Sequence, residues 1–234
     1  MKYKEFIYCA IDFKRISEAK NILSKIKNHI GGIKLGLEFF IANGLKGIKL
    51  IKKYNLPIFL DLKLHDIPIT VFKSLEAALD VEPEYISVHI TGGSKMIELI
   101  TKKKRYTKLI GITMLTSLEQ DDIKSFGIKV SPKNYVKKLA AIAYKNGLDG
   151  IVSSPKELKY LRQTYSKKFI IITPGIRLND DINEDDQKRI QSPGEAVFNG
   201  SNILIIGRPI TKAKDPIKSL ELIDKDINQR LNRL

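Results

Sequence analysis

Eight short runs rich in isoleucine, valine and leucine recur along this chain and alternate with segments of helical periodicity. In the helical segments, such as 16–26, 71–79 and 135–143, apolar residues recur at spacings of three and four,. Near-continuous apolar strands that alternate with amphipathic helices are typical of a parallel sheet covered on its faces. The predicted strands are residues 6–11, 32–35, 58–62, 85–90, 109–114, 150–153, 169–173 and 203–206.

The spacing of these strands predicts the architecture. Eight strands in 234 residues give about 29 residues per strand, close to the size of one strand–helix module,. We therefore predict an α/β fold, a (β/α)8 TIM barrel forming a single domain over residues 1–234. An open doubly wound sheet is the alternative, although no Gly-x-Gly-x-x-Gly motif follows the first strand,. An acid-rich segment after the seventh strand, at about 177–189, is predicted to be a mobile loop.

Composition excludes several classes of protein. Cys9 is the only cysteine, which excludes a disulfide framework and a thiolate metal cluster,. No run of about 18 apolar residues could span a membrane, and the first residues show no signal-peptide cleavage pattern,. We therefore expect a cytoplasmic protein that does not bind a membrane.

The net charge of +15 suggests an anionic partner,. Only 8 of the 41 basic residues are arginine, however, and direct base recognition favours arginine,. A basic nucleic-acid-binding protein remains an alternative of a different class, but we expect a small anionic substrate and no nucleic acid.

Polar residues collect at the carboxyl ends of the predicted strands, where barrel enzymes carry their active sites. The opposite strand ends follow ordinary turn residues such as Asn55, Pro57 and Gly147. This asymmetry favours a functional site at one mouth of the barrel. The polar strand-end residues are Asp12, Lys34, Asp61, Lys63, His89, Thr113, Thr116, Ser153, Ser154, Arg177, Gly207 and Arg208.

The third strand ends in an Asp-x-Lys pair. Asp61 and Lys63 are two residues apart, so on a regular strand both side chains point to the same face,. Such a pair is often an ordinary ion pair, but Lys34 and Asp66 can join it in an alternating charged cluster. Two carboxylates about 4 Å apart repel by roughly 4 kcal/mol at an effective dielectric near 20, so the cluster needs its ammonium groups.

Two neighbouring strands end in glycine and arginine. Gly207-Arg208 follows the eighth strand, and Gly175 and Arg177 follow the seventh. Glycine lets the backbone approach a ligand closely, and arginine binds phosphate through a fork of donors. Because barrels often bind phosphate after strands 7 and 8, the sequence predicts a phosphorylated substrate.

The strand-3 segment Asp61-Leu-Lys63-Leu-His65-Asp66-Ile-Pro-x-Thr70 resembles the signature of the orotidine 5'-phosphate decarboxylase family. The resemblance extends from Asp12 to about Pro216 and includes eight further segments in order. They are Ala10-Ile-Asp12, Gly32-Ile-Lys34-Leu-Gly36, Val88-His89-x-x-Gly92-Gly93, Thr113-Met-Leu-Thr116-Ser117, Gly147-Leu-Asp-Gly150, Pro174-Gly-Ile-Arg177, Asp186-Gln187-Lys-Arg189 and Ile206-Gly207-Arg208-Pro209.

The resemblance implies a cofactor-free decarboxylation of orotidine 5'-monophosphate to UMP and carbon dioxide, the last step of de novo pyrimidine nucleotide synthesis. It implies that Lys63 protonates C6 of the pyrimidine as carbon dioxide leaves, and that Asp61 lies beside the departing carboxylate. Lys34 and Asp66 would complete the charged network. It also implies a homodimer in which Asp66 and Thr70 enter the site of the neighbouring subunit. The substrate-binding residues would be Asp12, Lys34 and Thr70, with Thr116 on the pyrimidine and Arg177, Gln187, Gly207 and Arg208 at the phosphate.

Sister barrels such as hexulose-6-phosphate synthase and keto-gulonate-6-phosphate decarboxylase share an Asp-x-Lys-x-x-Asp strand and remain an alternative. Those enzymes carry a strand-2 carboxylate that helps to bind Mg²⁺. This chain has Lys34 there, and an ammonium group repels a divalent cation,. We therefore predict that the protein uses no metal.

Overall fold

The computed structural model describes residues 1–178 and 191–232. Eight parallel strands close in chain order into a barrel, with the last strand paired to the first. This confirms the predicted (β/α)8 barrel and excludes the open sheet. The strands are β1 (Ile7–Ala10), β2 (Gly32–Leu35), β3 (Ile58–Leu64), β4 (Tyr85–His89), β5 (Lys108–Ile112), β6 (Gly150–Val152), β7 (Ile170–Thr173) and β8 (Ile203–Ile206).

Helices lie between the strands, on the outside of the barrel. Three of them begin with Pro at their first position after Ser131, Ser192 or Asp215, whose side chains accept hydrogen bonds from backbone N–H groups of the first turn,. The helices in the described ranges are α1 (Ile16–Ile26), α2 (Leu37–Lys52), α3 (Pro68–Leu79), α4 (Ser94–Thr101), α5 (Gln120–Ser125), α6 (Pro132–Lys145), α7 (Leu158–Arg162), α8 (Pro193–Phe198), α9 (Arg208–Thr211) and α10 (Pro216–Leu231).

Six of the eight strands differ from their predicted bounds by one or two residues at one or both ends, whereas β2 and β8 match them. Strand β3 continues two residues beyond its predicted end, to Leu64, through a shift in its register with β4. None of the helices in the described ranges combines the length and hydropathy needed to cross a membrane. The predicted mobile loop lies outside the described residues except for Arg177 and Leu178.

Strand residues alternate between two apolar cores. Ile7 and Cys9 pack outward against the helices, whereas Tyr8 belongs to a smaller cluster inside the barrel. In that inner cluster the Tyr85 ring meets the rings of Tyr8 and Phe59 edge-on, at centroid distances of 5.9 and 6.3 Å,. These buried rings fill the barrel below the carboxyl ends of the strands, so a ligand can enter only above them.

Gly32 provides the space for one of these rings. A Cβ atom at Gly32 would lie 2.3 Å from the nearest carbon of the Tyr8 ring. A side chain there would therefore displace the ring that closes the interior.

Candidate active site

A cavity of about 330 Å³ opens at the carboxyl ends of the strands. This volume is within the range of small-molecule sites. Phe59 lines it together with other apolar side chains, so its floor is the inner core. The polar and glycine residues predicted from the sequence that line it are Asp12, Lys34, Asp61, Lys63, Thr116, Ser153, Arg177, Gly207 and Arg208.

Strands β1 and β2 bring together the first ion pair of the cavity. Lys34 Nζ donates to both carboxylate oxygens of Asp12 at 2.9 Å. Lys34 is buried, whereas the Asp12 carboxylate is 41% exposed and faces the opening. A Cβ atom at Gly36 would lie 2.8 Å from Asp12 Oδ1 and 2.9 Å from Lys34 Nζ. Gly36 therefore leaves the space that this ion pair occupies.

Strand β3 supplies the second ion pair. Lys63 Nζ donates to Asp61 Oδ2 at 2.7 Å, so the two side chains meet as predicted. The regular-strand argument is nevertheless wrong at Lys63. The β3–β4 register shifts between Leu60 and Leu64, and Lys63 has a φ of +51°, in the left-handed region. Such a backbone conformation costs a residue with a Cβ roughly 1–3 kcal/mol and must be held by its surroundings.

Ser87 on β4 is a residue of this site that the sequence reasoning missed. It is fully buried, and its hydroxyl donates to Asp61 Oδ1 at 2.8 Å. Ser87 Oγ also accepts a hydrogen bond from the backbone N–H of Lys63 at 2.8 Å. The signal was available in the alternation of β4, since Ser87 is two residues after Tyr85 and shares its inward face,.

Two histidines lie beside this end of the cavity. The rings of His65 and His89 are 5.0 Å apart between centroids. Burial, followed by the nearby charges of His65 and Lys63, lowers the pKa of His89 to about 4,. His89 is therefore neutral near pH 7 and adds no positive charge beside Lys63.

Strands β7 and β8 place two guanidinium groups at the other end of the cavity. Arg177 is buried and donates from Nη1 to the Ile176 carbonyl at 2.8 Å, whereas Arg208 is exposed at the start of α9. A Cβ atom at Gly207 would lie 3.3 Å from Ala10 Cβ, so this strand end has little room for a side chain. The predicted partner Gln187 lies outside the described residues.

Two residues of the predicted catalytic and substrate-binding set, Asp66 and Thr70, do not line the cavity of their own chain, and neither do the strand-end residues His89, Thr113 and Ser154. Asp66 is exposed, and its Oδ1 accepts the backbone N–H of Ile67 at 2.7 Å. Thr70 is exposed in the first turn of α3. The cluster within one chain thus consists of two Asp–Lys pairs, and the expectation that Asp66 would join it there is wrong. His65, Asp66 and Ile67, which follow β3, are all exposed.

The cavity favours an anionic ligand. Among the residues that the structure describes, its lining includes four cationic and two anionic side chains, an excess of two positive charges,. Within residues 1–178 and 191–232, no group of three or more His, Cys, Asp or Glu side chains could hold a metal ion. The arrangement therefore offers two preorganised ammonium groups at one end and two guanidinium groups at the other.

A closed (β/α)8 barrel with a polar cavity at the carboxyl ends of its strands defines the class of barrel proteins that bind small molecules at this mouth. Residues 6–223 match the model of the family described as orotidine 5'-phosphate decarboxylase / HUMPS. The chain belongs to this family.

Relatives and solved structures agree with this assignment. The orotidine 5'-phosphate decarboxylase of Wolbachia sp. subsp. Brugia malayi is 45% identical over 224 residues, covering 95% of this chain and 99% of the relative. The enzyme of the same name from Sphingopyxis alaskensis is 45% identical over 212 residues, covering 90% and 93%. The crystal structure of orotidine 5'-phosphate decarboxylase from Lactobacillus acidophilus has a TM-score of 0.83 at 32% identity, covering 95% and 98%.

Proposed function

We propose that this protein decarboxylates orotidine 5'-monophosphate to UMP and carbon dioxide, the last step of de novo pyrimidine nucleotide synthesis. The observation that carries the proposal is the position of Lys63. Its ammonium group lies 2.7 Å from the Asp61 carboxylate in a cavity that also contains Arg177 and Arg208. The substrate carries a carboxylate at one end and a phosphate at the other, which matches this distribution of charge.

The charged end performs the chemistry. When the bond from C6 to the carboxyl carbon breaks, its electron pair remains on C6, where no conjugated group can accept it. Lys63 stabilises this charge electrostatically and then transfers a proton from Nζ to C6, after which it regains a proton from water. Asp61 lies beside the departing carboxylate, and Lys34 completes the charged network with Asp12, whose exposed oxygens bind ribose hydroxyls.

The other residues bind the parts of the substrate that do not react. Thr116 contacts the pyrimidine, and Arg177, Gln187, Gly207 and Arg208 bind the phosphate. Binding energy from the phosphate lets the site exclude water around the pyrimidine, because interactions with remote groups can support the reacting centre.

One assay tests the reaction and the predicted absence of a metal. Purified protein is treated with EDTA, mixed with orotidine 5'-monophosphate, and followed by loss of the orotate absorbance band. We expect full activity without added metal or cofactor, since Lys34 and Lys63 would repel a divalent cation. Activity that disappears with EDTA and returns with Mg²⁺ would favour the sugar-phosphate sister barrels instead.

The functional unit in this proposal is a homodimer in which Asp66 and Thr70 enter the neighbouring site. Asp66 is absent from the lining of its own cavity, and the adjacent side chains of Ile67 and Ile69 are 63% and 51% exposed. Exposed apolar side chains beside a carboxylate that the reaction needs are consistent with a partner subunit covering this surface.

Complementation between inactive variants tests the shared site. Lys63→Ala and Asp66→Ala are mixed under conditions that allow subunit exchange. Each heterodimer then contains one site with both residues intact and one with both defects. Random exchange makes about half of the dimers hybrid, so roughly a quarter of wild-type activity should return. Heterodimers that form without recovering activity would mean that Asp66 serves its own subunit.

We also place the reaction in the cytoplasm, because its phosphorylated substrate carries charges that do not cross a lipid bilayer unaided. Fractionation of the native cells, followed by the absorbance assay, tests this location.

A further inference from the structure

We propose that Ser87 is a positioning residue for the reaction: its hydroxyl holds the β3 bulge that directs Lys63 toward the cavity. This inference rests on the proposed function, since it concerns how the reacting ammonium group is placed.

The hydroxyl of Ser87 closes a ring of hydrogen bonds around the Asp61–Lys63 pair. It accepts from the Lys63 backbone N–H and donates to Asp61 Oδ1, both at 2.8 Å. The other oxygen, Asp61 Oδ2, accepts from Lys63 Nζ at 2.7 Å. Backbone, carboxylate and ammonium are thereby fixed relative to one another by one serine side chain.

The backbone explains why such a contact is needed. Between Leu60 and Leu64 the register of β3 advances by four residues while that of β4 advances by two, from Ile86 to Val88. The Lys63 N–H therefore has its hydrogen bond with the Ser87 side chain rather than with the β4 backbone. Because Lys63 is held at a φ of +51°, loss of this bond removes a restraint on an unfavourable conformation,.

The carboxylate gives a second reason. Asp61 is buried, and a buried carboxylate needs donors that satisfy it and fix its orientation,. The hydroxyl of Ser87 occupies Oδ1, which directs Oδ2 to Lys63. A serine hydroxyl has one proton and two lone pairs, so it can serve as donor to Asp61 and acceptor from Lys63 at once. Alanine can do neither.

The test compares two buried hydroxyls. Ser87→Ala is compared with Ser201→Ala, since Ser201 is also a buried strand-end serine but bonds to Thr173 and to backbone carbonyls, away from the charged pairs. We expect Ser87→Ala to lower kcat about 10- to 100-fold with KM and UMP affinity within about twofold of wild type. Ser201→Ala should keep wild-type kcat even if it lowers the melting temperature.

Two further substitutions at Ser87 separate the role of its hydroxyl from an effect on folding. Ser87→Thr retains the hydroxyl and should recover most of the lost kcat. If Ser87→Ala does not fold, Ser87→Cys keeps the shape with a weaker donor and should lose kcat several-fold at unchanged KM. The inference is overturned if folded Ser87→Ala or Ser87→Cys turns over like Ser201→Ala, or if KM rises as much as kcat falls. Failure of the proposed function is distinct, because wild-type protein would then not decarboxylate orotidine 5'-monophosphate.

Discussion

The two ends of the cavity differ in how their charged side chains are arranged. At the β1–β3 end, the ammonium groups of Lys34 and Lys63 are each bonded to a carboxylate within 2.9 Å. At the β7–β8 end, Arg177 and Arg208 line the cavity, and the described lining residues that follow these two strands include no carboxylate. Counting only the described lining residues, the first end is neutral and internally bonded, whereas the second carries the excess of positive charge.

This difference separates two tasks. A ring of fixed ion pairs keeps its geometry without a ligand, which suits a centre that must stabilise charge as it develops in the reaction. An excess of positive charge instead attracts an anion from solution and retains it. Variants at the first end should therefore change kcat, and variants at the second should change KM.

The largest expected effect is at the first end. Lys63→Ala should lower kcat by roughly 10⁴-fold, because it removes both the proton donor and the cation beside C6. The matched control is Lys108→Ala, which breaks another strand ion pair, with Glu84 at 2.6 Å, near the start of β5. The absorbance assay should show near-normal turnover for the control. Comparable kcat values for the two variants would remove Lys63 from the chemistry.

The next largest effect is expected from a substitution at the β7–β8 end of the cavity. Arg208→Ala should raise KM about 10- to 150-fold, since a lost charge-assisted contact with phosphate costs about 1.5–3 kcal/mol. We expect kcat to change much less. Arg15→Ala, which removes an exposed arginine paired with Glu18, is the control for a loss of surface charge. A KM equal to that of the control would place the phosphate elsewhere.

The same comparison shows how far sequence reasoning reaches. Alternation along regular strands correctly places Lys34 on the face shared with Gly32, and Asp61 on the face shared with Phe59,. Arg177, Gly207 and Arg208 were instead predicted from their position after the carboxyl ends of β7 and β8,. On the regular strand segments the local pattern was sufficient to place charged side chains in the cavity, although the predicted strand-end residues His89, Thr113 and Ser154 do not line it.

The pattern fails where tertiary contacts override it. The left-handed conformation of Lys63 depends on a hydroxyl from Ser87, 24 residues away, and no local signal in β3 encodes a bulge. For the same reason proximity in sequence was misleading for Asp66, which follows Lys63 by three residues but lies at the surface. The residues of the proposed chemistry were therefore easier to predict than the geometry that holds them.

A smaller effect is expected at Gly36, which lies beside the Asp12–Lys34 ion pair at the first end of the cavity. Gly36→Ala places a Cβ atom within 3 Å of Asp12 Oδ1 and Lys34 Nζ, so the ion pair must shift,. We expect kcat/KM to fall about tenfold, equal to about 1.4 kcal/mol. Gly36→Ser, with a larger side chain, should reduce it further. Wild-type kcat/KM in both variants would mean that the position of this pair does not matter for the reaction.

The smallest expected effect is a change in the pH dependence of stability, caused by His89 beside the first end of the cavity. Burial and the charges of His65 and Lys63 lower the pKa of His89 to about 4, below its ordinary value near 6.5, while Asp61 opposes the shift,. A histidine with a lowered pKa stabilises the fold fully above pH 6.5, and this contribution is lost as the pH falls toward 4.

The measurement is the free energy of unfolding in urea at pH 7 and pH 5. His89 is only half-buried, so after allowance for solvent screening wild type should lose about 1 kcal/mol more than His89→Gln over this interval,. His29→Gln, at the α1–β2 connection, is the control and should keep the wild-type difference. Equal losses in wild type and His89→Gln would show that the fold does not lower the pKa of His89, and that this end of the cavity tolerates a third cation.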